Sequence, residues 1–139
     1  MASLPADVEQ RYRRLAARRG WSTETETAFR AAVTWYRTLD ETPGPRSCFE
    51  YVDDGLADPG ARCLWETVTA DHETVAVKQI DISSTGTAHR YWWQNLDDDS
   101  GTLTDQPLGL DQPGLTRIPD SAFYALWHTI RDPAASPEE

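Results

Sequence analysis

The sequence has a single lysine, Lys78, and 12 arginines, and its 23 acidic residues outnumber these 13 basic ones. Aspartate occurs 14 times and glutamate 9 times, so the formal net charge is −10. Many short acids and few lysine stems are typical of proteins that work in concentrated salt, where a Debye length of roughly 3 Å screens the repulsion. A GC-rich genome also replaces lysine with arginine and is the alternative explanation. The composition predicts a halophilic source and points to no reaction.

Long apolar runs and metal-type cysteine spacings are also missing. No stretch approaches the roughly 18 apolar residues of a membrane-spanning helix. The opening MASLPADVEQRYRRL lacks the apolar segment of a secretory signal. The two cysteines, Cys48 and Cys63, are not spaced as metal ligands, and we expect them to be reduced and buried. The sequence therefore predicts a cytoplasmic protein that is not bound to a membrane and holds no metal or cofactor.

The length of 139 residues is that of one ordinary domain. We assign this domain to residues 1–132 and predict a disordered acidic tail at 133–139. The domain is predicted to be α+β, with two N-terminal helices, a four- to five-stranded antiparallel meander and a C-terminal helix packed on the sheet.

Both N-terminal helices are indicated by apolar residues at helical spacing. In the first, Val8, Tyr12 and Leu15 share a face, and Gly20 is the expected stop. The second begins at a capping box made by Thr23 and Glu26 and ends before a proline-rich turn. Its apolar face consists of Phe29, Ala32, Val33, Tyr36 and Leu39. The break between the two helices predicts an antiparallel pair.

Short runs rich in β-branched residues follow, separated by turn clusters that favour antiparallel hairpins. Five strands are predicted, at Ser47–Val52, Arg62–Thr69, Thr74–Ile82, Thr87–Leu96 and Thr102–Asp105. The apolar phase changes within the third strand, so a β-bulge is expected near Lys78 and Gln79. Residues 107–118 are predicted to be a connection, and the last helix to run from about Asp120 to Arg131.

The fourth predicted strand contains the most unusual stretch of the chain. Alternation along its whole length would place four residues on one face. Large rings mixed with directed polar groups are typical of ligand pockets. The predicted ligand-binding residues are therefore His89, Tyr91, Trp93 and Asn95. The alternative is a central strand whose rings pack in the core.

The first helix carries the predicted contact residues for a partner, Arg11, Arg14 and Arg18, which project from roughly one side. Residues 1–46 have a net charge of +2 and residues 47–139 one of −12. Nucleic acid is disfavoured as a partner because the acidic remainder repels phosphates. Either another acidic protein or the chain's own acids is the expected contact.

The acidic run Asp97–Gly101 resembles a calcium loop only in composition. When Gly101 is aligned with the glycine of an EF-hand, Leu96 and Pro107 occupy two ligand positions, and neither can serve. We therefore predict a solvated turn and no metal site.

Three classes of function remain open, because no catalytic motif is present. The first is a non-catalytic binding or regulatory module that contacts a protein partner or a second copy of itself. The second is a small-molecule-binding or catalytic domain with His89 as acid–base, joined by Cys63 if their strands are neighbours. The third is an acidic mimic of nucleic acid. An enzyme is disfavoured relative to a binding module.

Overall fold

A computed structural model describes residues 4–52 and 58–130, in which there are three helices and five strands. The helices are α1 (Ala6–Arg19), α2 (Thr23–Glu41) and α3 (Asp120–Trp127). The strands are β1 (Ser47–Val52), β2 (Arg62–Ala70), β3 (Glu73–Ile82), β4 (Ala88–Tyr91) and β5 (Leu115–Ile118). The predicted α+β fold, with α3 packed on an antiparallel sheet, is confirmed. No helix within these described ranges is long and apolar enough to cross a membrane.

The two N-terminal helices begin and end through local hydrogen bonds. Gly20 follows α1 with φ 64°, a left-handed conformation in which its N–H bonds back to the last turn. Ser22 has extended backbone angles, and its hydroxyl accepts a bond of 3.1 Å from the backbone N–H of Thr25. The N-cap of α2 is therefore Ser22 and not Thr23, because Thr23 already has helical geometry.

Contacts between α1 and α2 are both apolar and ionic. The ring of Tyr12 meets Phe29 edge-to-face with centroids 5.1 Å apart. Arg30 donates two hydrogen bonds of 2.7 Å to the carboxylate of Glu9. This fork, opposed by partial desolvation and aided by Arg13, lowers the pKa of Glu9.

The sheet has the strand order β4-β3-β2-β1-β5, so the first four strands form the predicted meander. A bulge interrupts the pairing of β2 with β3, since Glu66 pairs with Lys78 while Thr67 pairs with Ala76. Val77 is thus the extra residue, adjacent to the predicted position of the bulge.

Two strand predictions are wrong in detail. The fourth strand ends at Tyr91, because Trp92 and Asn95 exchange backbone hydrogen bonds of 3.3 and 2.9 Å and so reverse the chain. Thr102–Asp105 contributes one isolated bridge to Asp97 and no strand. The fifth strand is instead β5, within the predicted connection, where it pairs with the open edge of β1. The predicted tail at 133–139 lies outside the described residues.

The segment that follows the reversal lies against the sheet through the side chain of Gln79. This buried amide accepts hydrogen bonds of 2.8 Å from the indole of Trp65 and 3.0 Å from the backbone of Thr104. It donates one of 2.9 Å to the carbonyl of Thr102. The side-chain amide of Gln79, and not the backbone ladder of a fifth strand, therefore holds residues 102–104 against this face of the sheet.

The opposite face of the sheet contains a buried ionic network centred on Glu66. The carboxylate of Glu66 accepts hydrogen bonds from Lys78 at 3.0 Å, Arg46 at 3.2 Å and the hydroxyl of Tyr124 at 2.5 Å. Asp40 at the end of α2 binds the same two cations, at 2.7 and 2.8 Å. Burial and the bond to Glu66 raise the pKa of Tyr124, which therefore stays a donor. The network joins α2, β2, β3 and α3.

Replacing Glu66 with leucine is expected to destabilise the protein by roughly 3 kcal/mol, because two partly buried cations would keep only Asp40 as an acidic partner. Urea unfolding followed by circular dichroism measures the change. The control is Glu41→Leu, which removes an exposed ion pair with Arg37 and should cost less than about 1 kcal/mol. Equal losses in the two variants would contradict a central role for the network.

Candidate functional site

Three of the four predicted ligand-binding residues are buried within the fold. Tyr91, Trp93 and Asn95 are 0%, 6% and 1% exposed. The hydroxyl of Tyr91 and the amide of Asn95 donate to the two carboxylate oxygens of Asp98, at 3.0 and 3.1 Å. The carbonyl of Trp93 accepts from the hydroxyl of Tyr12 in α1. The alternation that was expected to place the four residues on one face stops at Tyr91, where β4 ends. The fourth residue, His89, lines an open groove.

Two of the three predicted partner contacts on α1 bond to other parts of the chain. Arg11 donates a hydrogen bond of 2.7 Å to the carbonyl of Gln94, and Arg18 lies 3.6 Å from the carboxylate of Asp99. Arg14 is half-buried on the same helix. Arg18 thus contacts the chain's own acids, one of the two predicted alternatives.

The turn that was predicted to be solvated is organised by Asp98. Besides Tyr91 and Asn95, its carboxylate accepts from the backbone N–H groups of Ser100 at 2.8 Å and Gly101 at 3.1 Å. The side chain therefore points into the fold, while Asp99 is exposed. In the described part of the chain, no three His, Cys, Asp or Glu side chains are placed to hold a metal ion.

An open groove of about 500 Å³ lies over β2, β3 and β4. Its floor carries Cys63, Asp81 and His89, which are consecutive partners in the register of the three strands. The thiol of Cys63 lies 3.4 Å from Asp81 Oδ1, and the amide of Gln79 donates to the same oxygen at 2.9 Å. The walls add polar side chains from the flanking turns, namely Asp58, Ser83, Thr87 and Ser100.

A direct Cys63–His89 pair is not formed. The strands that carry the two residues are separated by β3, and Asp81 lies between them. A nearby positive charge favours the thiolate that acts as a nucleophile, whereas a nearby negative charge disfavours it. Here the thiol of Cys63 donates to the carboxylate of Asp81, so this contact does not favour a thiolate.

Asp81 is the electrostatically unusual group of the groove. Desolvation by burial raises its pKa, and the nearby charge of Asp98 adds to the rise. Hydrogen bonds from Cys63 and Gln79 and the proximity of His89 act in the opposite direction. No arginine or lysine within residues 4–52 and 58–130 forms an ion pair with Asp81. A half-buried carboxylate without a cation costs stability.

Gly101 packs close to Oδ2, the second carboxylate oxygen of Asp81. A Cβ atom built at Gly101 would lie 3.2 Å from Asp81 Oδ2 and 3.0 Å from the hydroxyl of Tyr91. Only glycine lets the turn approach this closely, so the turn forms one wall of the groove without filling it.

His89 was expected at a site from its place in the fourth strand, whereas Asp81 was not expected in this groove. The signal was present in the hairpin between β2 and β3, where Ala70 pairs with Glu73 across a two-residue turn. Counting from that turn alone would place Cys63 opposite Ile80, and the bulge advances the register by one residue to Asp81. The alignment therefore required both the turn and the bulge to be placed correctly.

Comparisons with protein-family models, with curated proteins and with solved structures gave no match for this chain.

Replacing Asp81 with asparagine should raise the melting temperature at neutral pH. The raised pKa means that the folded protein holds this proton more tightly than the unfolded chain, so ionisation destabilises the fold. The gain should shrink as the pH falls through the folded pKa and vanish below the ordinary value of 3.8. Thermal unfolding across pH measures it, and Asp111→Asn controls for the general relief of negative charge. An equal gain in both variants would refute the assignment.

The two cysteines should differ sharply in how fast they react with iodoacetamide. Cys48 is buried, and burial, together with the charge of Glu66, raises its pKa to about 12. Cys63 is half-buried and lines the open groove. At mildly alkaline pH we expect one adduct, on Cys63, and a second only in urea. Intact mass and peptide mapping test this, and modification of Cys48 at the same rate would contradict it.

Proposed function

We propose that the protein is a small-molecule-binding domain whose ligand occupies the groove over β2, β3 and β4. The observation that carries the proposal is the alignment of Cys63, Asp81 and His89 on the floor of this groove. A volume of about 500 Å³ lies within the usual range of ligand sites. The proposal concerns binding and assigns no reaction.

The free-energy cost of keeping Asp81 ionised in the folded protein supports a functional role for this residue. A carboxylate that is partly desolvated and unpaired by arginine or lysine opposes folding. Such destabilising groups are characteristic of functional sites, where they are retained despite their cost. Asparagine would keep an acceptor for Cys63 and Gln79 at this position, so packing alone does not require the charge.

Binding of a protein partner through the fourth strand and α1 receives less support. Trp92 and Trp93 are buried, so they do not form an exposed apolar face that would drive association. The guanidinium of Arg11 bonds within the chain, and so does that of Arg18. The halophilic source and the cytoplasmic location stay predictions from composition.

The test combines a ligand screen with the accessibility of Cys63. Small polar molecules, comprising amino alcohols, polyols and hydroxy acids, are screened by backbone-amide NMR at fixed ionic strength. Ligands of the groove should shift the amides of β3 and β4 and slow the alkylation of Cys63. His89→Gln should weaken both effects, whereas the matched control His128→Gln, on the exposed end of α3, should leave them intact. Shifts confined to other surfaces, or unchanged alkylation with every compound, would refute the proposal.

A further inference from the structure

We propose that the groove selects a small organic cation that carries hydroxyl groups, of which an amino alcohol is the simplest example. This inference rests on the proposed function and specifies its ligand class. It follows from how the charges around the groove are arranged and from the hydroxyl side chains in its walls.

The carboxylates of Asp58 and Asp81 are the acids of the groove. The backbone N–H of Ser84 donates to Asp58 at 3.1 Å, and the hydroxyl of Ser84 donates to it as well. These bonds lower the pKa of Asp58, so it stays ionised near neutral pH. Asp81 lines the floor, where Cys63 and Gln79 donate to Oδ1 and Gly101 packs close to Oδ2, so it contributes negative charge to the groove. The groove therefore has negative groups on two sides.

Two arginines beside the groove and its turn form ion pairs with other acids. Arg62 borders the groove, but its guanidinium lies 2.6 Å from the carboxylate of Glu50. Side chains of adjacent strand residues point to opposite faces, so this ion pair lies on the far side of the sheet from Cys63. Arg19 near the turn binds Asp97 at 2.9 Å and the carbonyl of Asp98. Among the described residues, the acids of the groove are therefore left to attract a cation from solution.

The remaining groups distinguish an organic cation from a metal ion. The described residues offer no set of three acidic, histidine or cysteine ligands around one point, whereas a divalent metal needs several at about 2.0–2.6 Å. Thr87 and Ser100 place hydroxyl groups on the walls, and His89 adds a ring nitrogen. These groups can both donate to and accept from the hydroxyls of a ligand. The negative charge of the two carboxylates would attract its ammonium group.

The experiment uses three probes of one skeleton that differ in charge: serinol as the cation, glycerol as the neutral molecule and glycerate as the anion. Binding to the full chain is followed at neutral pH and fixed ionic strength by the amide shifts of β3 and β4 and by protection of Cys63. Serinol should bind most tightly, with glycerol about tenfold weaker or more, because two charge contacts are lost.

Two variants locate the preference. Asp81→Asn removes a negative charge from the groove, and His89→Lys adds a positive one. Each variant should abolish the preference for serinol over glycerol. Asp111→Asn, remote from the lining of the groove, should retain it and so controls for the net charge of −10.

The outcomes separate this inference from the proposed function. Equal binding of glycerol, tighter binding of glycerate, or a serinol preference that survives Asp81→Asn would overturn the cation inference and leave a ligand groove in place. Failure of all three probes to shift the groove or protect Cys63 would overturn both.

Discussion

The buried carboxylate of Glu66 lies where α2, β2, β3 and α3 meet, and it has to be neutralised there because an unpaired charge in the interior costs several kcal/mol. Lys78 and Arg46 supply the neutralising charge, and Asp40 completes the set. Tyr124 adds a hydroxyl donor that fixes the position of α3 on the sheet. The single lysine of the chain lies in this network, although acidic residues dominate the composition. The network is therefore the ionic centre of the sheet face that α3 covers.

One extra residue connects this centre to the groove on the other face. The bulge at Val77 advances β3 by one position relative to β2. Without it Glu66 would be opposite Val77, and Cys63 would be opposite Ile80. With it, Lys78 reaches Glu66 on one face and Asp81 reaches Cys63 on the other. Since a register shift of one residue exchanges the two faces of a strand, the ionic network and the groove depend on the same local irregularity.

Periodicity predicted the helices and the first three strands because each has an apolar face several residues long. It also located the bulge, since the apolar phase of β3 changes beside Val77. The reversal after Trp92 was missed because no glycine or proline marks it and its rings favour strands. β5 was missed because four residues between Gly114 and Pro119 carry too little pattern. Of the groove, His89 was predicted, and Cys63 was named only on the condition that their strands were neighbours. Asp81 was missed because its position between them depends on the pairing of three strands.

The two ion pairs of Lys78 also link the reactivity of its amine to conformational opening. The chain contains one ε-amino group, and in the folded state it is held between Asp40 and Glu66. Its side chain is 14% exposed in the folded state, and departure of α2 or α3 from the sheet would break an ion pair or uncover the nitrogen. A rise in the rate at which the side chain is acylated would therefore report opening at the centre of the fold, without any introduced label.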